Sequence, residues 1–141
     1  MKNHRLAVCA ALLAVSSVWA APPKNAVLVD HSSAGLIDGP AAKAIVAEGI
    51  PARAWKLYPA SKWGYVSQVE GGFTSGGTCV VTARVMLMQL TPTMKAMLFR
   101  PHKTATAFDA VAGASQAQCQ ELARTKLKEA LDGVVSSLVK V

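Results

Sequence analysis

The chain has 141 residues, of which 52% are hydrophobic and 16% charged, and its formal net charge is +7. So apolar a composition excludes disorder along most of the chain, and the length fits one core rather than two. No G-x-x-x-x-G-K-[ST], C-x-x-C, H-E-x-x-H or G-x-S-x-G occurs, which removes the common nucleotide, redox, zinc-protease and hydrolase signatures.

Met1 to Arg5 is a short basic segment, Leu6 to Trp19 is apolar or small throughout, and Val18-Trp19-Ala20 fits a small-x-small cleavage site. This order predicts an export signal over residues 1–20, cut before Ala21. Pro22 and Pro23 follow and stop any helix. Cys9 superficially resembles a lipidation site, but a lipidated cysteine follows the apolar run and this one lies inside it, so Cys9 leaves with the signal. No later apolar run is long enough to span a bilayer. The expected location is therefore the periplasm or the exterior, with no stable membrane anchor after cleavage. The mature chain keeps Cys79 and Cys119. Two cysteines in an exported domain predict a disulfide, and closing that loop is worth about 4 kcal/mol in the chain-entropy model.

Ala26 to Val29 is an apolar run that predicts a short strand within an extended N-terminal segment, residues 21–39. A single α+β domain is expected over 40–141. Asp38-Gly39-Pro40 is a helix start, and the helix over Ala41–Glu48 is expected to end with Gly49 in the left-handed conformation before Pro51. Arg53 to Tyr58 reads as extended. From Lys62 the period becomes two, with Trp63, Tyr65, Ser67 and Val69 on one side. The glycines between 71 and 77 mark a hairpin connection. Cys79 to Leu90 is the clearest strand, with Cys79, Val81, Ala83, Val85 and Leu87 on one face. Thr91-Pro92-Thr93 predicts a turn, Lys95–Arg100 a returning strand, and Lys103–Phe108 its continuation at an edge after Pro101.

Ser115 to Val139 predicts a long helix. Cys119, Ala123, Leu127, Ala130, Leu131, Val134 and Leu138 share an arc of about 120°, and charged residues occupy most of the other side. Ser115 is its expected N-cap, and Gly133 a point of close packing on the sheet. The predicted fold is α+β: a small antiparallel sheet of three to five strands, a short N-terminal helix, and a long amphipathic C-terminal helix on one sheet face. The disulfide would pin the start of that helix to the start of the central strand.

Three features bear on function. Five of the seven aromatic residues after the leader lie between 55 and 73, interleaved with basic residues. Trp and Tyr offer rigid contact area with a polar tip, so Arg53, Trp55, Lys56, Tyr58, Lys62, Trp63 and Tyr65 are the candidate binding residues, with burial under the long helix as the alternative for Trp63 and Tyr65. Met86, Met88, Met94 and Met97 lie close together, with His102 after them. Thioethers are soft ligands that suit Cu(I), but methionine also fills cores and forms adaptable contact faces. Arg84, Met86 and Met88 are secondary binding candidates. Asp30-His31-Ser32 has the content of a catalytic triad, but neighbours in an extended segment point apart and cannot form one.

These observations favour an exported, non-catalytic binding protein of the bacterial cell envelope, of inhibitor, immunity or assembly-accessory type. Its expected partner is an envelope protein or cell-wall component. No cofactor, metal or nucleic acid is called for. A periplasmic Cu(I) carrier and a small envelope hydrolase are the alternatives.

Overall fold

The computed structural model describes residues 21–139; the segment 1–20, read above as an export signal, lies outside the described residues. Seven elements follow in order: β1 (Val27–Asp30), α1 (Gly39–Gly49), α2 (Ala52–Leu57), β2 (Trp63–Phe73), β3 (Thr78–Gln89), β4 (Lys103–Ala112) and α3 (Gln116–Leu138). The fold is α+β, with α1 and α3 on one face of a four-stranded sheet ordered β1-β2-β3-β4.

The sheet is mixed rather than purely antiparallel. β1 runs parallel to β2, whereas β2–β3 and β3–β4 are antiparallel. Parallel neighbours need a long crossover, and here α1 and α2 supply it. The residues 21–39 thus contribute an edge strand. Asp30 secures it: its Oδ1 accepts from the Ser67 hydroxyl at 2.6 Å and the Ser32 hydroxyl at 2.7 Å. The Ser32 oxygen in turn accepts from the Val69 amide at 2.9 Å.

The period-two readings match the observed burial. Cys79, Val81, Ala83, Val85 and Leu87 of β3, with Tyr65 and Val69 of β2, are fully enclosed. All seven residues of the predicted α3 stripe are buried against them. Ser115 and Gln118 form a reciprocal capping box. The Cys79–Cys119 disulfide joins the start of β3 to the first turn of α3, with Cα atoms 5.7 Å apart.

Three local expectations are corrected. Arg53–Tyr58 is not extended: Ala52–Leu57 is helical, because Ala54 and Trp55 both turn into the core within one short helix. Lys95–Arg100 is not a strand. The chain folds back at once, the Thr91 amide donating to the Ala96 carbonyl at 2.7 Å, and its pairing with the sheet is reduced to an isolated Leu90–Met97 bridge. Gly49 does not end α1 by a left-handed turn; Ile50 caps the helix in extended conformation. A Cβ at Gly49 would collide with Leu131 Cδ2, so this glycine lets α1 approach α3. Gly133 does what was expected of it, since a Cβ there would meet that of Ala105 on β4 at 2.9 Å.

Candidate functional site

The ten candidate binding residues separate into three groups. Trp55 and Tyr65 belong to the core, 8% and 0% exposed, their rings packed edge to face at 5.4 Å. That placement removes both from the contact surface, because an amphipathic helix and the inner face of β2 converge on the same interior. Among the described residues, neither the Trp55 Nε1 nor the Tyr65 hydroxyl has a hydrogen-bond partner. Burial, with a smaller contribution from Tyr58, pushes the Tyr65 phenol up to about 12.

Arg84, Met86 and Met88 form the second group, on the outer face of β3, away from α3. Arg84 is exposed, Met86 half-buried and Met88 buried. Met97 reaches over Gly64, the register partner of Met88, with its Cε where a Cβ on that glycine would collide. Three of the four clustered methionines therefore cover the outer face near β2, whereas Met94 is 81% exposed.

Tyr58, Trp63, Arg53, Lys56 and Lys62 make the third group, at the end of the sheet where β2 begins and β3 finishes. Tyr58 follows α2 and sets its ring against Trp63, edge to face at 5.3 Å. The imidazole of His102, arriving just before β4, leans on both rings at 4.9 Å from Trp63 and 5.7 Å from Tyr58. Arg53, Lys56 and Lys62, on or between α2 and β2, are exposed. Lys95 joins them by donating from its Nζ to the Ser61 carbonyl at 2.9 Å. Two shallow grooves share Gln89. One, of about 420 Å³, is lined by Leu98, Arg100, Pro101 and His102; the other, of about 370 Å³, by Ser61, Lys62, Leu90, Pro92 and Lys95.

Reading Lys95–Arg100 as a strand hid this part of the site. Lys95, Arg100, His102 and the exposed Leu98 and Phe99 come together because the segment 91–102 is a compact loop. Its sequence carries the signal: apolar residues run consecutively through Ala96-Met97-Leu98-Phe99 instead of alternating. No Asp or Glu occurs in residues 49–69 or 71–108, which hold seven Lys and Arg. The loop and both sides of the groove are thus uniformly cationic in their side-chain charges.

The remaining chemistry is structural. Asp30 and Ser32 bond to each other and to β2, with His31 exposed beside them. No hydrogen bond or ion pair joins an imidazole to a carboxylate among the described residues. No group of three or more His, Cys, Asp or Glu that would hold a metal occurs among them either. On α3, Lys126 bridges Glu129 at 2.8 Å and Asp109 of β4 at 3.3 Å. The Glu129 hydrogen bond, then that of Asp109, raises the Lys126 ammonium; the Ala110 amide and then Lys126 hold the Asp109 carboxyl below its usual range.

No protein-family model matches the chain, and no curated protein sequence matches it. Among solved structures, a dodecamer of a PelC variant from Paraburkholderia phytofirmans is similar at a TM-score of 0.45 and 13% identity, over 78% of this chain and 87% of that one. A second crystal form of the PelC dodecamer gives 0.41 and 12%, over 78% and 87%. A Caulobacter crescentus protein assigned as a lipoprotein gives 0.40 and 13%, over 77% of this chain and 86% of that one.

Proposed function

We propose that the chain is an exported, non-catalytic binding protein of the bacterial cell envelope, and that it holds an anionic partner at the open end of its sheet. The observation that carries this reading is the Tyr58–Trp63–His102 stack flanked by Lys62, Lys95 and Arg100, on segments without a single carboxylate. Aromatic faces give contact area at low entropic cost, and cations of one sign around a groove raise the local concentration of an anion. The chemistry fits an acidic segment of an envelope protein or an acidic wall component. Export is supported by the basic-apolar-small leader and by the Cys79–Cys119 disulfide, a bond typical of oxidising compartments.

The test follows Trp63 fluorescence while the mature chain is titrated with solubilised peptidoglycan fragments and, separately, with a polyglutamate peptide. Binding to one of them, weakened by salt and lost by at least about tenfold in a Lys62→Glu, Lys95→Glu, Arg100→Glu triple variant that keeps its melting temperature, is the expected result. Equal binding by that variant, or none by the native chain to either probe or to any acidic envelope component, would overturn the reading.

A further inference from the structure

β4 is the last strand of the sheet. It pairs with β3 on one side, α3 lies over its inner face, and nothing among the described residues pairs with its outer side. Ladder parity identifies which backbone groups that side presents. The Leu90 amide donates to the Lys62 carbonyl, so even-numbered residues of β3 turn their backbone groups to β2 and odd-numbered ones to β4. In the β3–β4 register Leu87 stands opposite Lys103 and Val81 opposite Asp109. Odd-numbered residues of β4 therefore bond inward, and Thr104, Thr106, Phe108 and Ala110 direct N–H and C=O out of the sheet. The Ala110 amide is met by the neighbouring Asp109 Oδ1 at 2.8 Å, in keeping with that direction.

An edge of this length ordinarily carries protection, such as a proline, a bulge or a lysine in mid-strand. Between the out-of-register His102 bond to the Leu87 carbonyl at its entry and the Asp109 carboxylate on its Ala110 amide, β4 has none of these. Its register with β3 is unbroken from Lys103 to Ala112, and its only cation is its first residue. The geometry points to a second copy of this chain as the occupant: two β4 strands pair antiparallel about a two-fold axis through Thr106, fusing two sheets into one.

Charge selects that register. With Thr106 opposite its own symmetry mate, Thr104 faces Phe108 of the second copy and Lys103 faces Asp109 of the second copy, twice over. The outward-bonding residues meet outward-bonding residues, while Lys103 and Asp109 fall at a non-hydrogen-bonded pair, where side chains come closest. Opposite charges so placed stabilise a sheet, Lys103 of the second copy joining the Lys126 ammonium and the Ala110 amide that Asp109 already holds, and no other antiparallel self-register sets Lys103 against Asp109. The helices also fit. α3 packs on β3 and β4 together, so in the fused sheet the two α3 axes stand about two strand spacings apart, roughly 10 Å, the usual distance for packed helices. Gly133, seated on Ala105 beside the axis, keeps α3 low on β4 there.

Light scattering on the mature chain after size exclusion reads the mass. Thr106→Pro removes an amide that β3 does not use, so it is expected to yield a monomer with native circular dichroism. Lys103→Glu is expected to weaken the dimer about tenfold, and Lys103→Arg, which keeps the charge and leaves the Lys126–Asp109 pair intact, to leave it unchanged. Thr106→Cys, read independently, should crosslink to a disulfide dimer in air, whereas Ala110→Cys should not. A native chain that stays monomeric at its solubility limit would overturn the proposal. So would an assembly that survives Thr106→Pro, or one in which Thr106→Cys fails to crosslink.

Discussion

At its first residues β3 is held from every side. Cys79 is bonded to α3, Phe73 and Val111 flank it in the sheet, and the capping box fixes the helix end beside it. At its last residues the same strand runs out into a loop whose Phe99 is 102% and Met94 81% exposed, next to a stack of three rings and a set of cations that form no ion pair among the described residues. One end carries the covalent constraint; the other packs Tyr58 and Trp63 against the core and presents exposed apolar and charged groups beyond them. A small domain with a limited core gains most from a crosslink, and the constraint at one end leaves the other free to carry groups that a partner, rather than the protein itself, would cover.

The largest effect expected from breaking this arrangement falls at the held end. Replacing both cysteines, Cys79→Ala with Cys119→Ala, should lower stability by about 4 kcal/mol, since the unfolded chain regains the freedom of a closed loop. Urea midpoints of the two proteins, at equal m-value, measure it. Two thiols that titrate freely in the native, unreduced protein would remove the basis of the comparison.

Tyr65 lies near the open end, opposite Leu87, and it sharpens where the sealed region stops. Its phenol is enclosed and has no hydrogen-bond partner among the described residues, and its folded pKa of about 12 stands above the ordinary value of 10.0. A raised folded pKa means that the stabilisation is whole below pH 10 and is lost as pH rises towards 12. The loss amounts to roughly 2–3 kcal/mol, the free energy of two pKa units. Tyr65→Phe should remove this dependence and, because the hydroxyl has no partner to lose, leave stability at pH 7 unchanged or higher by about 1 kcal/mol. Denaturant midpoints of both proteins between pH 8 and pH 12 decide it; an unchanged alkaline slope in the Phe variant would mean that water reaches the ring.

The sheet interior, the α3 stripe, the disulfide and Ser115 as cap were all legible in the sequence, because each rests on a periodicity or on chemistry that a few neighbouring residues fix. The direction of β1 was not. Four apolar residues, Ala26 to Val29, specify a strand but not its partner, and the parallel pairing depends on Asp30 and Ser32 bonding to Ser67 and Val69 across the whole of α1 and α2. The helix over Ala52–Leu57 was hidden by its length, since six residues are too few to show a helical period. Part of the candidate site was visible: the aromatic and basic residues from 53 to 65 stand out by composition. Sequence order cannot say that Trp55 and Tyr65 face inward while Tyr58 and Trp63 meet His102, forty residues away, because that sorting is done by the β2–β3–β4 register.

The smallest expected effect is the most telling about the open end. Phe99→Ser and Met94→Ser remove apolar side chains that touch almost nothing, so each should shift stability by no more than about 0.5 kcal/mol, the range of surface substitutions. A buried residue of similar size gives the contrast: Leu127→Ala, on the fully enclosed α3 stripe, should cost about 2–5 kcal/mol. If the Ser variants prove as costly as Leu127→Ala, the loop 91–102 is packed in solution and the two ends of β3 are alike. If they are neutral in stability yet the double variant loses partner capture, then the exposed apolar groups are retained for contact. Their position beside Lys95 and Arg100 would then make one continuous surface with the ring stack, since a partner drawn in by charge would find the apolar contact within the same loop.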